Sequence, residues 1–369
     1  MISFEEIRKE FPLSDKCVFL NVANHSPPSR PVRRALESYL DDWDRDNRQG
    51  DERVRLANQS FSHLIGAKPE EVGCQPNTSA GLSAIAEALN LKSGMNVVVN
   101  DLENPANVYP WSMQRGKGIE VRVVKGVGGE VRLEDLEAVV DDSTKVVAIS
   151  QVQWLTGART DLRAVSEIAH EHGAFLVVDG IQAAGALKVD VRRDDVDFYA
   201  CGSYKWLLGP SGAGFLYLKK ELLEKVEPAL PGYRGIQKHD LERPVLKRSA
   251  ERFELGEPSY LSFVGTKAGI DLILKLGPES VEQRVLALSG RLLEGLLELG
   301  VEVVSPLGQG QQSGIVSFRT KKVQELFQGL TRRGFTVSLR AAGIRVSPGF
   351  YNTGEEVENL LDALKELSG

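Results

Sequence analysis

One lysine and one aspartate occupy positions where a parallel sheet collects its functional groups. Asp179 closes a short apolar run, Phe175 to Val178, whose β-branched content predicts a buried strand. Lys205 ends the stretch Gly202-Ser203-Tyr204-Lys205, which follows a second predicted strand, Val196 to Cys201. Because the carboxyl ends of parallel strands meet at one edge of a sheet, both side chains are predicted to reach the same crevice.

This pair of residue types suits one kind of cofactor chemistry. A lysine with a lowered pKa can form a Schiff base with an aldehyde. Pyridoxal phosphate needs such a lysine, an acid that keeps its ring nitrogen protonated, and a site for its phosphate. Taken singly, Asp179 would be interpreted as a helix cap and Lys205 as a surface residue. The two together favour a cofactor site, in which Asp179 would hold the ring proton by charge pairing.

A candidate phosphate site lies earlier in the chain. Glu70 to Gly81 predicts a strand and a turn, and a helix is predicted over Leu82 to Leu91. Thr78 and Ser79 are N-cap residue types, and the amino end of a helix offers free N–H groups to an anion. The alternative is an ordinary capped helix; the lysine segment makes a phosphate cradle the preferred interpretation.

The lysine segment resembles the signature of class V, fold-type I, pyridoxal-phosphate-dependent aminotransferases, and the resemblance extends over most of the chain. The residues that carry it are Asp179, Gln182, Lys205, Gly212 and Gly214. Within this group the chain is similar to cysteine desulfurases, to relatives of isopenicillin N epimerase and to kynureninases. The resemblance implies that pyridoxal phosphate is bound at Lys205 and that Gln182 hydrogen-bonds on the phenolic-oxygen side of the cofactor.

The resemblance assigns further residues to the cofactor. Tyr204 is implied to contact the phosphate, because kynureninases use a tyrosine there, and Ser203 is included among the cofactor-binding residues. Trp154 falls near the place where cysteine desulfurases carry an asparagine that reaches the phenolic oxygen. The alternative for Trp154 is a packing role.

Other residues are candidates for substrate binding. Arg345 precedes Tyr351-Asn352-Thr353, as does the family arginine that holds the substrate α-carboxylate, with Arg340 as the second choice and a surface salt bridge as the alternative. The loop with Asn24 and His25 lies beside the substrate in the family, although a lone histidine in a loop is commonly just solvated.

Two positions depart from the family pattern. The loop from Glu103 to Trp111 lacks the usual aromatic ring-stacking residue, since Asn104 and Pro105 stand there and Tyr109 and Trp111 could belong to the core. Glu257 replaces a threonine that contacts the neighbouring subunit's phosphate, and an acid would repel that group. Either Glu257 points away and Ser259 substitutes, or the contact is lost.

Composition bounds the class of protein. The chain has 369 residues, 42% of them hydrophobic, and a net charge of −6, which gives no support for nucleic-acid binding. Three scattered cysteines without a CxxC predict a reducing compartment and no zinc site. The first 15 residues lack the apolar core of a secretory signal, and no apolar run is long enough for a membrane span. A cytoplasmic protein is predicted.

Alternating strands and helices from about residue 70 to 218 predict an α/β fold. The resemblance implies a large domain with a mainly parallel seven-stranded sheet and a smaller α+β C-terminal domain. The predicted ranges are 1–45 for an N-terminal segment packing on the small domain and the active-site entrance, 46–250 for the cofactor-binding domain and 251–369 for the small domain. The resemblance also implies a homodimer.

The predicted activity is chemistry at the Cα of a small amino acid, with transamination first and a 2-oxo acid as a candidate co-substrate. No cysteine follows Cys201, so persulfide transfer through a C-terminal thiol is not expected. A cysteine- or selenocysteine-type β-lyase without a catalytic cysteine, or an epimerase, is the alternative. A binding protein that keeps the fold without turnover is the alternative of another class.

Overall fold

The computed structural model describes residues 3–47 and 49–368. Helices alternate with strands up to residue 218, and two long helices follow in succession from residue 260. The α-helices are α1 (Phe4–Arg8), α2 (Arg30–Asp44), α3 (Gly50–Leu64), α4 (Thr78–Ala88), α5 (Tyr109–Ser112), α6 (Leu133–Glu137), α7 (Leu162–Glu171), α8 (Tyr260–Leu276), α9 (Pro278–Glu298), α10 (Val323–Arg332) and α11 (Gly354–Ser368).

The strands form one large sheet, one small sheet and two short pairs. They are β1 (Val18–Phe19), β2 (Val72–Gln75), β3 (Asn96–Asn100), β4 (Glu120–Val124), β5 (Thr144–Ser150), β6 (Phe175–Asp179), β7 (Phe198–Gly202), β8 (Gly214–Leu218), β9 (Ile236–Lys238), β10 (Val245–Leu246), β11 (Glu302–Val303), β12 (Val316–Arg319), β13 (Phe335–Thr336), β14 (Ser338–Arg340) and β15 (Gly343–Val346).

The large sheet has seven strands in the order β2-β8-β7-β6-β5-β3-β4. Strands β7, β6, β5, β3 and β4 are parallel to one another, whereas β8 is antiparallel to both β7 and β2. Ser150 pairs with Asp179, and Asp179 pairs with Ala200. The carboxyl ends of the three central strands are therefore level, which creates the crevice that a parallel sheet offers to ligands.

Side chains of the large sheet alternate between two buried cores, because successive residues of a strand point to opposite faces. One core joins Val147, Ile149, Val178 and Tyr199 to helices α3, α7 and α8. The strand residues that alternate with these point to the opposite face and form the other core together with α4. A sheet covered by helices on both faces explains why its central strands are almost continuously apolar.

The small sheet is antiparallel in the order β11-β12-β15-β14, and its two faces differ in chemistry. The apolar face, with Phe318, Ile344 and Val346, packs in a core with α9, α10 and α11. The other face carries Ser317, Ser338, Arg340 and Arg345. Ser317 donates to the carbonyl of Leu155 at 2.6 Å, so this polar face meets the segment that follows β5.

The N-terminal segment joins the small domain. Strand β1 pairs in parallel with β13, and Asn21 bridges to Ser347. Helix α8, beyond the predicted boundary at residues 250 and 251, contributes Phe263 and Ile270 to a core of the large sheet. The three predicted domain ranges stay a prediction.

Two elements differ from the sequence prediction. Helix α4 begins at Thr78 rather than Leu82, because Asn77 is its N-cap and accepts a hydrogen bond from the N–H of Ala80. Strand β15 lies in a stretch without a predicted strand. Only glycine fits at position 343 of this strand, since a Cβ would stand 2.1 Å from the carbonyl oxygen of Phe318.

Within residues 3–47 and 49–368, no helix combines the length and the apolar character needed to cross a membrane. In the same described part of the chain, no group of three or more His, Cys, Asp or Glu side chains is placed to hold a metal ion.

Candidate active site

Lys205 and Asp179 line one cavity of about 490 Å³ at the carboxyl edge of the large sheet. Asp179 is the last residue of β6, and Lys205 stands three residues beyond the end of β7, the neighbouring strand. Lys205 lies in a tight turn, in which the N–H of Leu208 donates to its carbonyl at 3.0 Å. The turn holds Lys205 where it lines the same cavity as Asp179.

The protein environment shifts the pKa of both groups. Burial raises the pKa of the Asp179 carboxyl, the nearby charge of Glu103 adds to this effect, and the Lys205 ammonium opposes it. Burial lowers the pKa of Lys205, against the attraction of Asp179, and the charges of Arg345 and Arg340 lower it further. With its pKa lowered to about 8, a larger fraction of the Lys205 amine is uncharged near neutral pH. An uncharged amine is suited to act as a nucleophile and as a base.

The amino end of α4 lies at the same cavity and is suited to bind an anion. Thr78 and Ser79 are its first two residues, so their backbone N–H groups have no acceptor within the helix. The hydroxyl of Thr78 accepts a hydrogen bond from the N–H of Gly202 at 2.8 Å, which holds the end of β7 against the helix. Thr78, Ser79 and Tyr204 all line the cavity.

Thr78 and Ser79 have residue types that favour the N-cap position, but they do not cap α4. Asn77 performs the capping, and it also lines the cavity. Thr78 and Ser79 lie inside the first turn, where their N–H groups are free to face a ligand rather than a cap.

Trp154 and Gln182 also line the cavity. The indole Nε1 of Trp154 is buried and has no hydrogen-bond partner, so a ligand acceptor would satisfy it. The side-chain amide of Gln182 donates to the carbonyl of Ala23 at 3.0 Å and accepts from the indole of Trp206 at 2.9 Å. These two bonds hold Gln182 in place and leave one of its amide hydrogens for another acceptor.

Of the other predicted residues, Ser203, Tyr109 and Trp111 do not line the cavity, and Asn104 does. Ser203 is fully buried, and its hydroxyl donates to the carbonyl of Pro210. Trp111 is buried in a core of the large sheet, and Tyr109 is exposed. Asn104 lines the cavity, but its side chain accepts from the N–H of Ala106 at 3.0 Å and caps a short 3₁₀-helix.

The substrate-binding candidates do not line the cavity, but hydrogen bonds link them to residues that do. Arg345 is buried, donates to the carbonyl of Trp154 at 2.7 Å and has no acceptor for its Nε. Arg340 donates to the side chain of Asn24 at 2.8 Å. His25 is exposed and contacts Asn24 at 3.0 Å. The N–H of Ser26 donates to the carbonyl of Tyr204, so the loop of Asn24 and His25 is tied to the cavity wall.

Glu257 is exposed and accepts a hydrogen bond from the hydroxyl of Tyr233 at 2.7 Å. Hydrogen bonds from Tyr260 and Tyr233 lower the pKa of its carboxyl. Ser259 caps α8 and accepts from the N–H of Ser262. Neither Glu257 nor Ser259 is among the residues that line the cavity.

Sequence reasoning missed the role of Glu103. This buried carboxylate accepts hydrogen bonds from Asn100, Asn107, Gln153 and both the N–H and the hydroxyl of Ser150. Ser150, at the end of β5, lines the cavity. Its position was the sequence feature that could have identified it: an acid three residues after the end of β3, comparable to the strand-end position of Asp179.

Comparisons with known proteins agree with this geometry. The family model described as aminotransferase class-V matches residues 46–360. An uncharacterized aminotransferase of Bacillus subtilis is 29% identical over 367 residues, which are 98% of this chain and 97% of that protein. A cysteine desulfurase of Salmonella gallinarum is 31% identical over 341 residues, 86% of this chain and 83% of that protein.

A solved structure of similar fold is the apo form of a cysteine desulfurase from Thermococcus onnurineus. Its TM-score is 0.91 at 27% sequence identity, with 100% of this chain and 98% of that chain covered. These findings confirm the predicted α/β architecture of fold-type I pyridoxal-phosphate enzymes. The chain belongs to the class-V aminotransferase family.

Proposed function

We propose that this protein is an aminotransferase that acts at the Cα of a small amino acid. The observation that carries the proposal is one cavity lined by Lys205, Asp179 and the amino end of α4, with a buried arginine bonded to Trp154 in the cavity wall. Each part meets one requirement of amino-group chemistry. Lys205 supplies an amine with a lowered pKa, Asp179 a buried carboxyl group, the amino end of α4 a phosphate site and Arg345 a carboxylate site.

Pyridoxal phosphate is the cofactor that family membership implies, and the residues present fit it. The free N–H groups of Thr78 and Ser79 suit its phosphate, Asp179 suits its ring nitrogen, and the unpartnered indole N–H of Trp154 and the remaining amide hydrogen of Gln182 suit its oxygen acceptors. When bound, the cofactor supplies an aldehyde that joins the amino acid and a ring that takes up the electrons released at Cα.

The chain's own residues supply binding and proton transfer. Arg345 has a free Nε and can hold an α-carboxylate through its planar fork. Lys205, whose pKa is lowered, accepts the proton from the substrate Cα as a neutral amine. Asp179 remains a buried anion that stabilises positive charge at the cofactor ring.

A β-lyase that works through a protein persulfide would need a reactive thiol at the site. Strands β14 and β15 are joined by a two-residue turn, since Arg340 pairs with Gly343, so this hairpin has no loop to carry a thiol. Cys74 and Cys201 are buried, and burial raises the pKa of both thiols. A lyase built on this site would have to release its leaving group without a protein persulfide.

The test is to add single L-amino acids to the purified protein with pyridoxal phosphate and to follow the visible absorbance of the bound cofactor. A 2-oxo acid formed without ammonia, and restored absorbance on adding a second 2-oxo acid, are expected. Ammonia with pyruvate or sulfide would establish the lyase, and a change only in substrate configuration an epimerase. If the cofactor binds but no amino acid changes its absorbance, the protein is a binding protein without turnover. The variant Lys205→Ala is the control for condensation of the cofactor with other amines.

We also propose a homodimer in the cytoplasm. Leu230, Tyr233 and Leu255 are at least half exposed, and an apolar surface of this kind beside Glu257 supports contact with a second copy. The mass of the protein in solution, measured by light scattering, tests this: a monomer at micromolar concentration would contradict it.

A further inference from the structure

Two arginines lie side by side on the polar face of the small sheet. In the β14–β15 pair, Arg345 is opposite Ser338 and Arg340 is opposite Gly343. Arg340 and Arg345 are therefore diagonal neighbours on one face, at a separation of about 7–8 Å that two long side chains can span. Because Gly343 has no side chain, nothing on β15 separates the two guanidinium groups.

Each guanidinium is linked to a different side of the cavity, Arg345 directly and Arg340 through the loop of Asn24. Arg345 donates to the carbonyl of Trp154, which lines the cavity. Arg340 donates to Asn24, whose loop is tied to the carbonyl of Tyr204 on the other side. Both positive charges act on Lys205. The two arginines thus border the place where a substrate joined at Lys205 would lie.

Neither arginine has an acidic partner. Among residues 3–47 and 49–368, no Asp or Glu forms an ion pair with Arg340 or Arg345. The Nε atoms of both arginines, the hydroxyl of Ser26 and the indole N–H of Trp154 are buried without a hydrogen-bond partner. A buried polar atom without a partner is unfavourable, so four of them around one crevice indicate a polar ligand that completes it.

We propose that the site binds amino acids with an acidic side chain, with Arg345 holding the α-carboxylate and Arg340 the second anion. This inference rests on the proposed function and names its substrate class. One α-carboxylate would neutralise only one of two adjacent cations and leave the other uncompensated. A dianionic amino acid neutralises both, and Asn24 positions the Arg340 fork for it.

The test compares amino acids of equal shape but different charge. The dissociation constants of L-aspartate, L-asparagine, L-glutamate, L-glutamine and L-alanine are measured on the cofactor-loaded protein by calorimetry and by the change in cofactor absorbance. The variants are Arg340→Gln and Arg340→Lys. The matched control is Arg332→Gln, which removes one positive charge from the exposed surface of α10.

The wild-type protein is expected to prefer one acidic amino acid over its amide by roughly tenfold to a hundredfold, the range for a hydrogen bond to a charged group. Arg340→Gln should abolish this preference, Arg340→Lys should keep part of it, and alanine binding should change little in both. Arg332→Gln should leave the preference unchanged.

Three results would overturn the inference. The first is equal binding of acid and amide by the wild-type protein. The second is an equal loss of alanine and aspartate binding in Arg340→Gln, which would assign the α-carboxylate to Arg340. The third is no binding of any amino acid, which would also overturn the proposed function; alanine binding without an acidic preference overturns this inference alone.

Discussion

At the scale of single residues, the reactivity of Lys205 depends on the charges around it. Its pKa is lowered by burial and by the two arginines, and is raised by Asp179 and, to a smaller extent, by Cys201. A lowered pKa means that a larger fraction of the amine is neutral at a given pH, so condensation with an aldehyde should begin at lower pH than for an ordinary lysine, whose pKa is about 10.4.

We therefore expect the condensation rate of pyridoxal phosphate with the cofactor-free protein to rise with pH through an inflection well below about 10. Asp179→Asn should move the inflection to lower pH, because the carboxylate favours the ammonium form. Arg340→Gln should move it to higher pH. Mass spectrometry of the reduced Lys205 adduct across a pH series measures each inflection. Shifts in the opposite directions, or none, would contradict this account of the site.

Glu103 is a second residue whose charge matters. Five donors converge on its carboxylate and tie the end of β3 to the end of β5. In Glu103→Gln, the side-chain NH2 group, a donor, would face other hydrogen-bond donors that need an acceptor. We expect the free energy of unfolding to fall by about 2–3 kcal/mol. Urea unfolding measures the loss.

The exposed helical substitution Glu137→Gln is the matched control for Glu103, because it changes the same charge on the surface. Its expected effect on the free energy of unfolding is within about 0.5 kcal/mol. If the two variants unfold alike, the Glu103 network does not organise the ends of β3 and β5.

At the scale of elements, the amino end of α4 has two separable tasks, capping and anion binding. Asn77 caps the helix through its side-chain oxygen. Asn77→Ala should lower the free energy of unfolding by about 1 kcal/mol through loss of the cap. Asn77→Asp should keep the cap and the stability, yet place a negative charge beside the N–H groups of Thr78 and Ser79.

The two Asn77 variants therefore have different signatures. Asn77→Asp should weaken the binding of pyridoxal phosphate severalfold and leave the binding of pyridoxal, which has no phosphate, almost unchanged. Fluorescence titration of the cofactor-free protein gives both affinities. Equal weakening for the two ligands would mean that the phosphate does not lie at the end of α4.

The sequence predicted the elements whose signals are local. Strands β3 and β6 have continuous apolar runs, and Gly277 and Pro278 separate α8 from α9. Strand β15 depends on a contact with Phe318 that is distant in sequence. Likewise, the hydroxyl of Ser203 is occupied by Pro210, which the residue types alone do not reveal.

At the scale of the whole molecule, three parts of the chain close around one cavity. The N-terminal loop supplies Asn24, the large sheet supplies Asp179 and Lys205, and the small sheet supplies Arg340 and Arg345. Lys205 and Asp179 were predictable because Asp179 ends strand β6 and Lys205 lies three residues after the end of β7. The convergence of two arginines was not, since it requires the pairing register of β14 and β15.

A ligand that bridges these parts should stabilise the folded molecule as a whole. At a cofactor concentration 100 times its dissociation constant, the free energy of unfolding should rise by about 2.7 kcal/mol. Thermal unfolding of the cofactor-free protein with pyridoxal phosphate tests this, with pyridoxal at the same concentration as the matched control. Pyridoxal lacks the anion that α4 would bind, so its stabilisation should be clearly smaller. Equal stabilisation by both would show that the aldehyde site at Lys205, rather than the helix end, accounts for cofactor affinity.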